Sequence, residues 1–285
     1  MPTKPTSEAR HARGFTLVEL VVTLVIAAIL ATLALRFIGS SVQGFVLAGD
    51  YGQLAGGGRA VIDRMAYELY NALPNSVRVT TPDGAGNQCL EFIPFTHSSA
   101  YLDPPFSEPR LAFDIVEPAP QSPPLAAASH VVIHPNSPAE LYFDALDGPA
   151  NPGPIARLQS ATANAGRVTL TLDPVAPHTF TRRSPLERVF LVDTPVSFCI
   201  AGRMLYRLSD YAFDEMQCTG TAGGCEDATV GVLADNLDMS AAPDHAFSVA
   251  AGTLQRNGMV IFNLHFASAA ATLPLRHEAL LRNVP

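Results

Sequence analysis

Residues 14–38 read GFTLVELVVTLVIAAILATLALRFI, and this stretch decides how the rest of the chain is interpreted. From Phe15 to Ile38 there are 24 residues, and the only charged ones are Glu19 and Arg36. A helix of about 20 apolar residues is long enough to cross the hydrocarbon core of a bilayer. The sequence therefore predicts one transmembrane helix over residues 15–38.

A short basic segment, MPTKPTSEARHARG, precedes this stretch and carries Lys4, Arg10 and Arg13 against Glu8. Positively charged flanks tend to stay in the cytoplasm. This predicts a single-pass protein with a cytoplasmic N-terminus and an exported C-terminal bulk. A conventional signal peptide, lost together with its apolar stretch, is the alternative that the pattern leaves open.

Glu19 is the unusual residue of the apolar stretch. A carboxylate near the bilayer centre costs about 2.5 to 3.5 kcal/mol, and a position near the cytoplasmic edge lowers that cost. An ionisable residue inside a membrane segment is by default a functional hypothesis that needs a partner. The cationic N-terminal amine of a neighbouring chain is a suitable partner.

The residues Gly14-Phe15-Thr16-Leu17-Val18-Glu19-Leu20 resemble the GFTLxEL signature of class III signal peptides, found in type IV pilins and in type II secretion pseudopilins. The resemblance implies that prepilin peptidase removes residues 1–14 by cleavage between Gly14 and Phe15, and that Phe15 is then N-methylated. It also implies that Glu19 assists methylation and offsets the charged N-terminus of an adjacent subunit during assembly. The expected setting is the bacterial inner membrane, with a periplasmic C-terminal domain, and a pilus fibre after assembly.

Residues 39–73 are less apolar and continue the helix as an amphipathic segment. Apolar residues from Val61 to Leu73 recur at helical spacing, and Pro74 supplies a stop. Gly52 and the run Gly56–Gly58 are expected to loosen the middle of this segment, since glycine costs up to about 1 kcal/mol in a helix interior. The resemblance to pilins implies a long helical spine, half in the membrane and half packed under a sheet.

Residues 74–285 show short alternating or β-branched runs separated by proline, glycine and asparagine, which predicts a β-rich domain and an α+β, pilin-like fold. The predicted strands are 77–81, 90–95, 111–116, 131–134, 141–143, 168–172, 189–192, 197–207 around a turn at 201–202, 260–266 and 275–282. Between Pro94 and Pro154 lie 13 of the 24 prolines, which predicts long loops with edge strands.

Three further runs carry a second resemblance: ALPNSVRV at 72–79, ERVFLVDTPVSF at 187–198 and HEALLRNVP at 277–285. They are similar to the MshO family of large minor pilins from the MSHA (mannose-sensitive haemagglutinin) pilus system, which is related to PilW-like pilins and J-type pseudopilins. The resemblance implies that the partners are other major and minor pilins, met through the N-terminal helix, together with inner membrane lipid.

Four cysteines, Cys89, Cys199, Cys218 and Cys225, allow three disulfide pairings, and none has a CxxC metal or redox spacing. Cys218 and Cys225 close a short loop that contains glycines, which favours their pairing and leaves Cys89 for Cys199. Four buried free thiols are the alternative; an exported domain favours disulfides.

Charge and motifs argue against other function classes. The formal net charge is −8, and it becomes −10 without residues 1–14, so the chain lacks the clustered positive charge that nucleic-acid binding needs. There is no HExxH, GxSxG or paired Cys/His zinc spacing, and neither an enzyme, a cofactor nor a metal is expected.

Histidines and acidic residues are the candidate metal ligands of the sequence. His130 and His134 flank a strand-like VVI and would lie about 13 Å apart, too far to share one metal, so they are predicted at the surface or an edge. Two acidic groups leave calcium open as an alternative, although a solvated charged face is favoured. These groups are Asp210, Asp214 and Glu215, and separately Asp235 and Asp238.

The function predicted from these features is that of a minor pilin that helps to initiate or cap a filament. Its anchor is retained, and its globular domain of more than 200 residues exceeds what a bulk filament subunit needs. The alternatives are a J-type type II secretion pseudopilin and a tip adhesin that uses the proline-rich loops as its binding surface.

Overall fold

A computed structural model describes residues 15–119, 124–125, 128–175, 177–220, 225, 227–240, 245–250, 252 and 257–281. The chain divides into two compact units, Met1–Asp50 and Tyr51–Pro285. The described residues contain one long helix and antiparallel sheets, which confirms the predicted α+β class.

Helix α1 runs from Leu17 to Tyr70. In the second unit its buried residues are Leu54, Gly58, Ile62, Met65 and Leu69, a spacing of three or four that places them on one face. This face packs into a core with the apolar side chains of the five- and three-stranded sheets described below.

One prediction about α1 is wrong, and the loosening effect of its glycines stays a prediction. The helix ends at Tyr70 rather than at Leu73, because the amide of Leu73 donates to the carbonyl of Ile93, 2.8 Å away, instead of continuing the helix. The glycines of its second half do not interrupt it. Gly58 faces the core, where a Cβ would lie 2.6 Å from Leu275 Cδ1 and 3.0 Å from the ring of Phe266. Gly58 therefore allows close packing of the helix on the sheet.

The described residues contain fourteen strands: β1 Arg78–Val79, β2 Gln88–Phe92, β3 Phe95–Ala100, β4 Ala112–Val116, β5 His130–Val132, β6 Ile155–Asn164, β7 Arg167–Leu172, β8 Arg188–Val192, β9 Val196–Ala201, β10 Met204–Ser209, β11 Thr229–Ala234, β12 Phe247–Ala250, β13 Met259–Ala267 and β14 Thr272–Leu280. A short 3₁₀ helix spans Pro138–Glu140.

The strands form three antiparallel sheets. Their orders are β1-β2-β9-β10-β11, β12-β13-β14 and β3-β8-β5-β6-β7-β4. In the third sheet, the edge strands β3 and β4 meet through a bridge between Tyr101 and Ile115 and a hydrogen bond of 2.9 Å from Leu102 N to the Asp114 carbonyl. The six strands thus close around their own apolar cluster.

Alternation of apolar side chains explains the strands that were predicted. In β13, Val260, Phe262, Leu264 and Phe266 are buried and the residues between them are half-buried, as a strand with one face on a core requires. Strands β3, β6, β11 and β12 were not predicted, because β3 and β6 are rich in alanine, serine and threonine, β11 contains a glycine and β12 has four residues.

The proline-rich region departs from its predicted structure in two places. Leu141–Phe143 is not a strand but the exit of the 3₁₀ helix, and its three side chains are buried. Strand β5 lies between β8 and β6 in the middle of its sheet, so the prediction of edge strands holds for β3 and β4 only. The surface prediction is also wrong for His130, which is 8% exposed with its ring against Phe143 and Phe213.

Candidate processing and assembly site

The start of α1 is built by a side-chain cap. Thr16 precedes the first helical residue, and its Oγ1 accepts a hydrogen bond of 3.2 Å from the backbone amide of Glu19. The carbonyl of Thr16 accepts the next amide, that of Leu20, at 3.1 Å. Threonine at the N-cap with glutamate three residues later is the sequence pattern of a capping box. The helix therefore begins at a defined residue, Leu17, directly after the Thr16 cap.

Glu19 is the acidic residue in the first turn of α1. The unpaired amides of a first helical turn carry partial positive charge, which favours a carboxylate there. Phe15 is 67% exposed, and the Glu19 side chain is exposed as well. The arrangement presents an aromatic residue and a carboxylate within one short segment at the end of an apolar helix.

The first unit exposes an apolar helix surface. Its large apolar residues from Phe15 to Leu47 are between 41% and 80% exposed. Among the described residues, α1 is the one helix long and apolar enough to cross a membrane, with a mean hydropathy of 2.6 in its best window. The hydroxyls of Thr23, Thr32 and Ser40 donate to carbonyls one turn earlier, so these polar groups are satisfied within the helix.

The residues predicted for processing fall partly within the described chain. Phe15 and Glu19 lie at the start of α1, whereas Gly14 and the rest of the predicted leader lie outside the described residues. Thr16 was not singled out from the sequence. The signal that reveals it is the Thr-x-x-Glu spacing immediately before an apolar run.

Comparison with protein families gives one match at this site. A family described as the prokaryotic N-terminal methylation motif matches residues 9–35. This motif indicates a type IV pilin-like or pseudopilin protein. It implies processing by prepilin peptidase and assembly with other pilins, and it suggests a structural rather than an enzymatic protein. No curated protein and no solved structure matches the chain.

A single N-terminal apolar helix that carries this signal fits anchoring in the inner membrane. The helix continues as α1 to Tyr70, inside the second unit. There Glu68 accepts hydrogen bonds from Nε of Arg207 on β10, at 3.1 and 2.9 Å, and a further one from Arg64. The second unit therefore holds the end of the helix by an ion pair as well as by the apolar stripe.

The four cysteines form two disulfides in the structure. The inter-strand disulfide, Cys89–Cys199, joins directly opposed residues of β2 and β9, and the loop disulfide, Cys218–Cys225, closes a segment after β10. The two lie in one apolar cluster, and the carbonyl of Cys218 is 3.6 Å from Cys199 Sγ.

A buried ion pair holds the segment that leads to the loop disulfide. Arg78 Nε is 2.6 Å from Glu91 Oε2, and the rest of its guanidinium donates to the backbone carbonyls of residues 214–216. Tyr211 donates to the other oxygen of Glu91 at 2.9 Å. Burial raises the pKa of the Tyr211 hydroxyl, which therefore remains a donor to Glu91. Because every group in this network has a partner within the fold, the network is structural.

Neither acidic group that left calcium open is assembled into a cluster. Asp214 accepts from the amide of Met216, and Asp238 accepts from the amide and hydroxyl of Ser240. Across the part of the chain that the structure describes, no group of three or more histidine, cysteine or acidic side chains is placed to hold a metal ion.

Proposed function

We propose that this chain is a minor subunit of a type IV pilus of the MSHA-like type, acting in filament initiation or at the tip. Prepilin peptidase cleaves between Gly14 and Phe15, Phe15 is N-methylated, and the apolar helix stays on the mature protein. The leader is cytoplasmic and residues 74–285 are periplasmic. The two disulfides support the export of this domain, because disulfides persist in oxidising compartments.

One observation carries the proposal. The chain bears the methylation motif on a helix whose first turn holds Glu19 and whose first unit exposes apolar side chains, and the same helix ends inside a β domain. In the membrane, lipid chains cover this apolar surface. In a filament, neighbouring helices of the same kind replace the lipid, and the domain is displayed outside the bundle.

Glu19 provides the charge pairing between subunits in this assembly. After cleavage the new N-terminus at Phe15 is a cation, and burying it alone in an apolar bundle is costly. The carboxylate of Glu19 on an adjacent subunit compensates the charge, since opposite charges attract far more strongly in a low dielectric than in water. Phe15 and Glu19 are thus the processing and pairing residues of the proposal.

Mass spectrometry of the mature N-terminus tests the processing step. The expected terminus is a methylated Phe15. A terminus beyond Ala34, which removes the apolar helix, refutes the proposal and leaves a secreted β domain. An intact Met1 refutes the cleavage step.

Substitution of Glu19 tests the pairing step. Glu19→Ala is expected to leave the periplasmic domain folded, with both disulfides formed, but to impair entry into filaments. Glu19→Asp keeps the charge and is the matched control, with partial function expected. Normal incorporation of Glu19→Ala removes the charge-pairing argument.

Deletion of the chain separates a pilus from a secretion role. Loss of surface filaments with unchanged protein secretion supports the minor pilin, whereas loss of secretion with normal filaments identifies a J-type pseudopilin. Normal piliation with lost surface attachment identifies a tip adhesin. Recovery of this chain as the dominant component of purified filaments contradicts the minor-subunit role.

A further inference from the structure

The ends of the sheets differ in how their edges are protected. The six-stranded sheet joins its edge strands β3 and β4 through the Tyr101–Ile115 bridge. At the β1 end of the five-stranded sheet, Gln88 of β2 reaches the first residue of β12: its Nε2 donates to the Phe247 carbonyl and its Oε1 accepts from the Phe247 amide, both at 2.9 Å. These ends are occupied within the fold.

Strand β14 is an edge that resists pairing. Pro274 removes a backbone donor from it, and Arg276 and Glu278 place charges along it. Proline and charged side chains are the usual means by which proteins prevent strand addition at an edge. A further strand is therefore disfavoured beside β14.

Strand β11 has neither of these protections, and its pairing with β10 is regular over residues 229–232, with a register shift only at Leu233. Its sequence, TVGVLA, contains no proline and no charge, and Val230 and Val232 are 59% and 56% exposed. It pairs with β10 on one side, and no other described strand lies beside it. Among the described residues, the backbone hydrogen bonds of residues 229–234 run to β10 alone. Its outer edge is a row of backbone donors and acceptors that matches another strand.

The side chains of β11 and its flanking residues indicate which side chains a strand that pairs with β11 would have. Val230 and Val232 lie opposite Leu208 and Tyr206 of β10 and share a sheet face with them. A strand added beside them gains contact with this face through every second side chain. Asp227 and Asp235 lie just outside the two ends of β11, are exposed, and form no ion pair among the described residues. The edge is thus apolar along its length and acidic at both ends.

We infer that β11 is a docking edge for an extended segment of another protein, with apolar β-branched side chains at alternate positions and basic residues at its ends. The backbone of β11 supplies the hydrogen bonds, Val230 and Val232 supply the apolar contact, and Asp227 and Asp235 select the charge of the partner. Antiparallel pairing with a second copy of this chain is disfavoured, because it brings Asp227 close to Asp235 of the copy. The inference does not depend on processing at Phe15.

A designed peptide tests the inference on the full-length protein in detergent. The probe is a fluorescent peptide, Lys-Val-Thr-Val-Thr-Val-Lys with blocked ends, and binding is followed by fluorescence anisotropy. Val232→Lys is expected to weaken binding about tenfold or more, because it removes an apolar contact and adds a like charge between the peptide's lysines. The matched control is Val175→Lys, since Val175 is 87% exposed in the turn after β7. Its affinity is expected to equal that of the wild type.

Two further comparisons separate strand pairing from general attraction. A peptide N-methylated at every second residue lacks the donors on one edge and is expected to lose binding to the wild type, even if Val232→Lys fails to fold. A peptide with glutamates in place of the lysines is expected to bind weakly to the wild type and well to the double variant Asp227→Lys/Asp235→Lys.

The inference is overturned if the wild type binds none of these peptides, or if the N-methylated peptide binds as well as its parent. Equal affinities for Val232→Lys and Val175→Lys also overturn it. Dimerisation of the wild type that Val232→Lys abolishes assigns β11 to a second copy and overturns the choice of partner. Failure of cleavage at Gly14 affects none of these measurements, so the two proposals fail independently.

Discussion

The adjacent glycines Gly57 and Gly58 provide a test of how α1 is seated in the second unit. A Cβ at Gly57 meets nothing within 4 Å, whereas one at Gly58 lies 2.6 Å from Leu275 Cδ1 and 3.0 Å from two ring carbons of Phe266. Replacing glycine by alanine in a helix interior stabilises by about 1 kcal/mol. At Gly58 the methyl also overpacks the core, which typically costs about 1 to 3 kcal/mol.

We therefore expect Gly57→Ala to raise the free energy of unfolding by about 1 kcal/mol, as helix propensity alone requires. The clash at Gly58 reverses that gain, so Gly58→Ala is expected to be about 2 kcal/mol less stable than Gly57→Ala. For a domain of this size the difference corresponds to a melting temperature about 4 to 8 °C lower. The measurement is thermal unfolding of the full-length protein in detergent, followed by the near-ultraviolet circular dichroism of its tyrosines.

A double-mutant cycle identifies the atoms responsible. Leu275→Ala removes the closest contact of the added methyl, so it should destabilise the wild type more than it destabilises Gly58→Ala. A coupling energy of about 1 kcal/mol is expected. Equal melting temperatures for Gly57→Ala and Gly58→Ala, or an absent coupling, refute the packing of Gly58 against β13 and β14.

Three other predictions concern pH, the helix cap and the disulfides. Burial lowers the pKa of His130 from 6.5 to about 4. His130 therefore binds a proton more readily in the unfolded chain than in the folded one. For this reason the folded state loses stability as the pH falls from 6.5 towards 4. Between pH 7 and 4.5 the free energy of unfolding should fall by about 2 to 3 kcal/mol for this reason. In His130→Phe, denaturation curves measured at different pH should lack this fall. The same pH dependence in the variant and the wild type excludes the effect. Thr16→Ala should destabilise the first turn of α1 by about 1 kcal/mol, measured as faster amide exchange there, and Thr16→Ser should restore protection; unchanged exchange in the alanine variant contradicts the cap. The inter-strand disulfide joins residues 110 apart in sequence, and the loop disulfide joins residues 7 apart. On the chain-entropy account, removing the first should lower the free energy of unfolding by about 5 kcal/mol and removing the second by about 2 kcal/mol. Denaturant unfolding that gives the reverse order contradicts this account.

The N-terminal features were readable from the sequence because they depend on neighbouring residues. Whether a helix can span a bilayer is decided by the composition of one continuous stretch, and the capping signal of Thr16 and Glu19 lies within four positions. The α+β class also followed from local periodicity, as in β13, where buried and half-buried residues alternate.

Strands without a local signal were not predictable. Strand β6 presents small polar residues on both faces, and β11 contains a glycine and presents its alternating valines to solvent, so neither carries the signal of a half-buried strand. Their positions are fixed by hydrogen bonds to β7 and β10. Such pairing is a property of the partner strand as much as of the sequence itself.

Burial and edge exposure were decided by the tertiary structure alone. His130 looks like a surface residue beside a short apolar run, but its strand lies between β8 and β6 and its ring packs against Phe213. The glycine at position 58 is expected from sequence to loosen the helix, yet it faces the sheet so closely that a Cβ there would lie 2.6 Å from Leu275 Cδ1. The apolar N-terminal helix was fixed by the sequence because its environment is lipid, which any apolar stretch of sufficient length satisfies. The roles of His130, Gly58 and β11 depend on segments distant in the chain, and only folding brings those segments together.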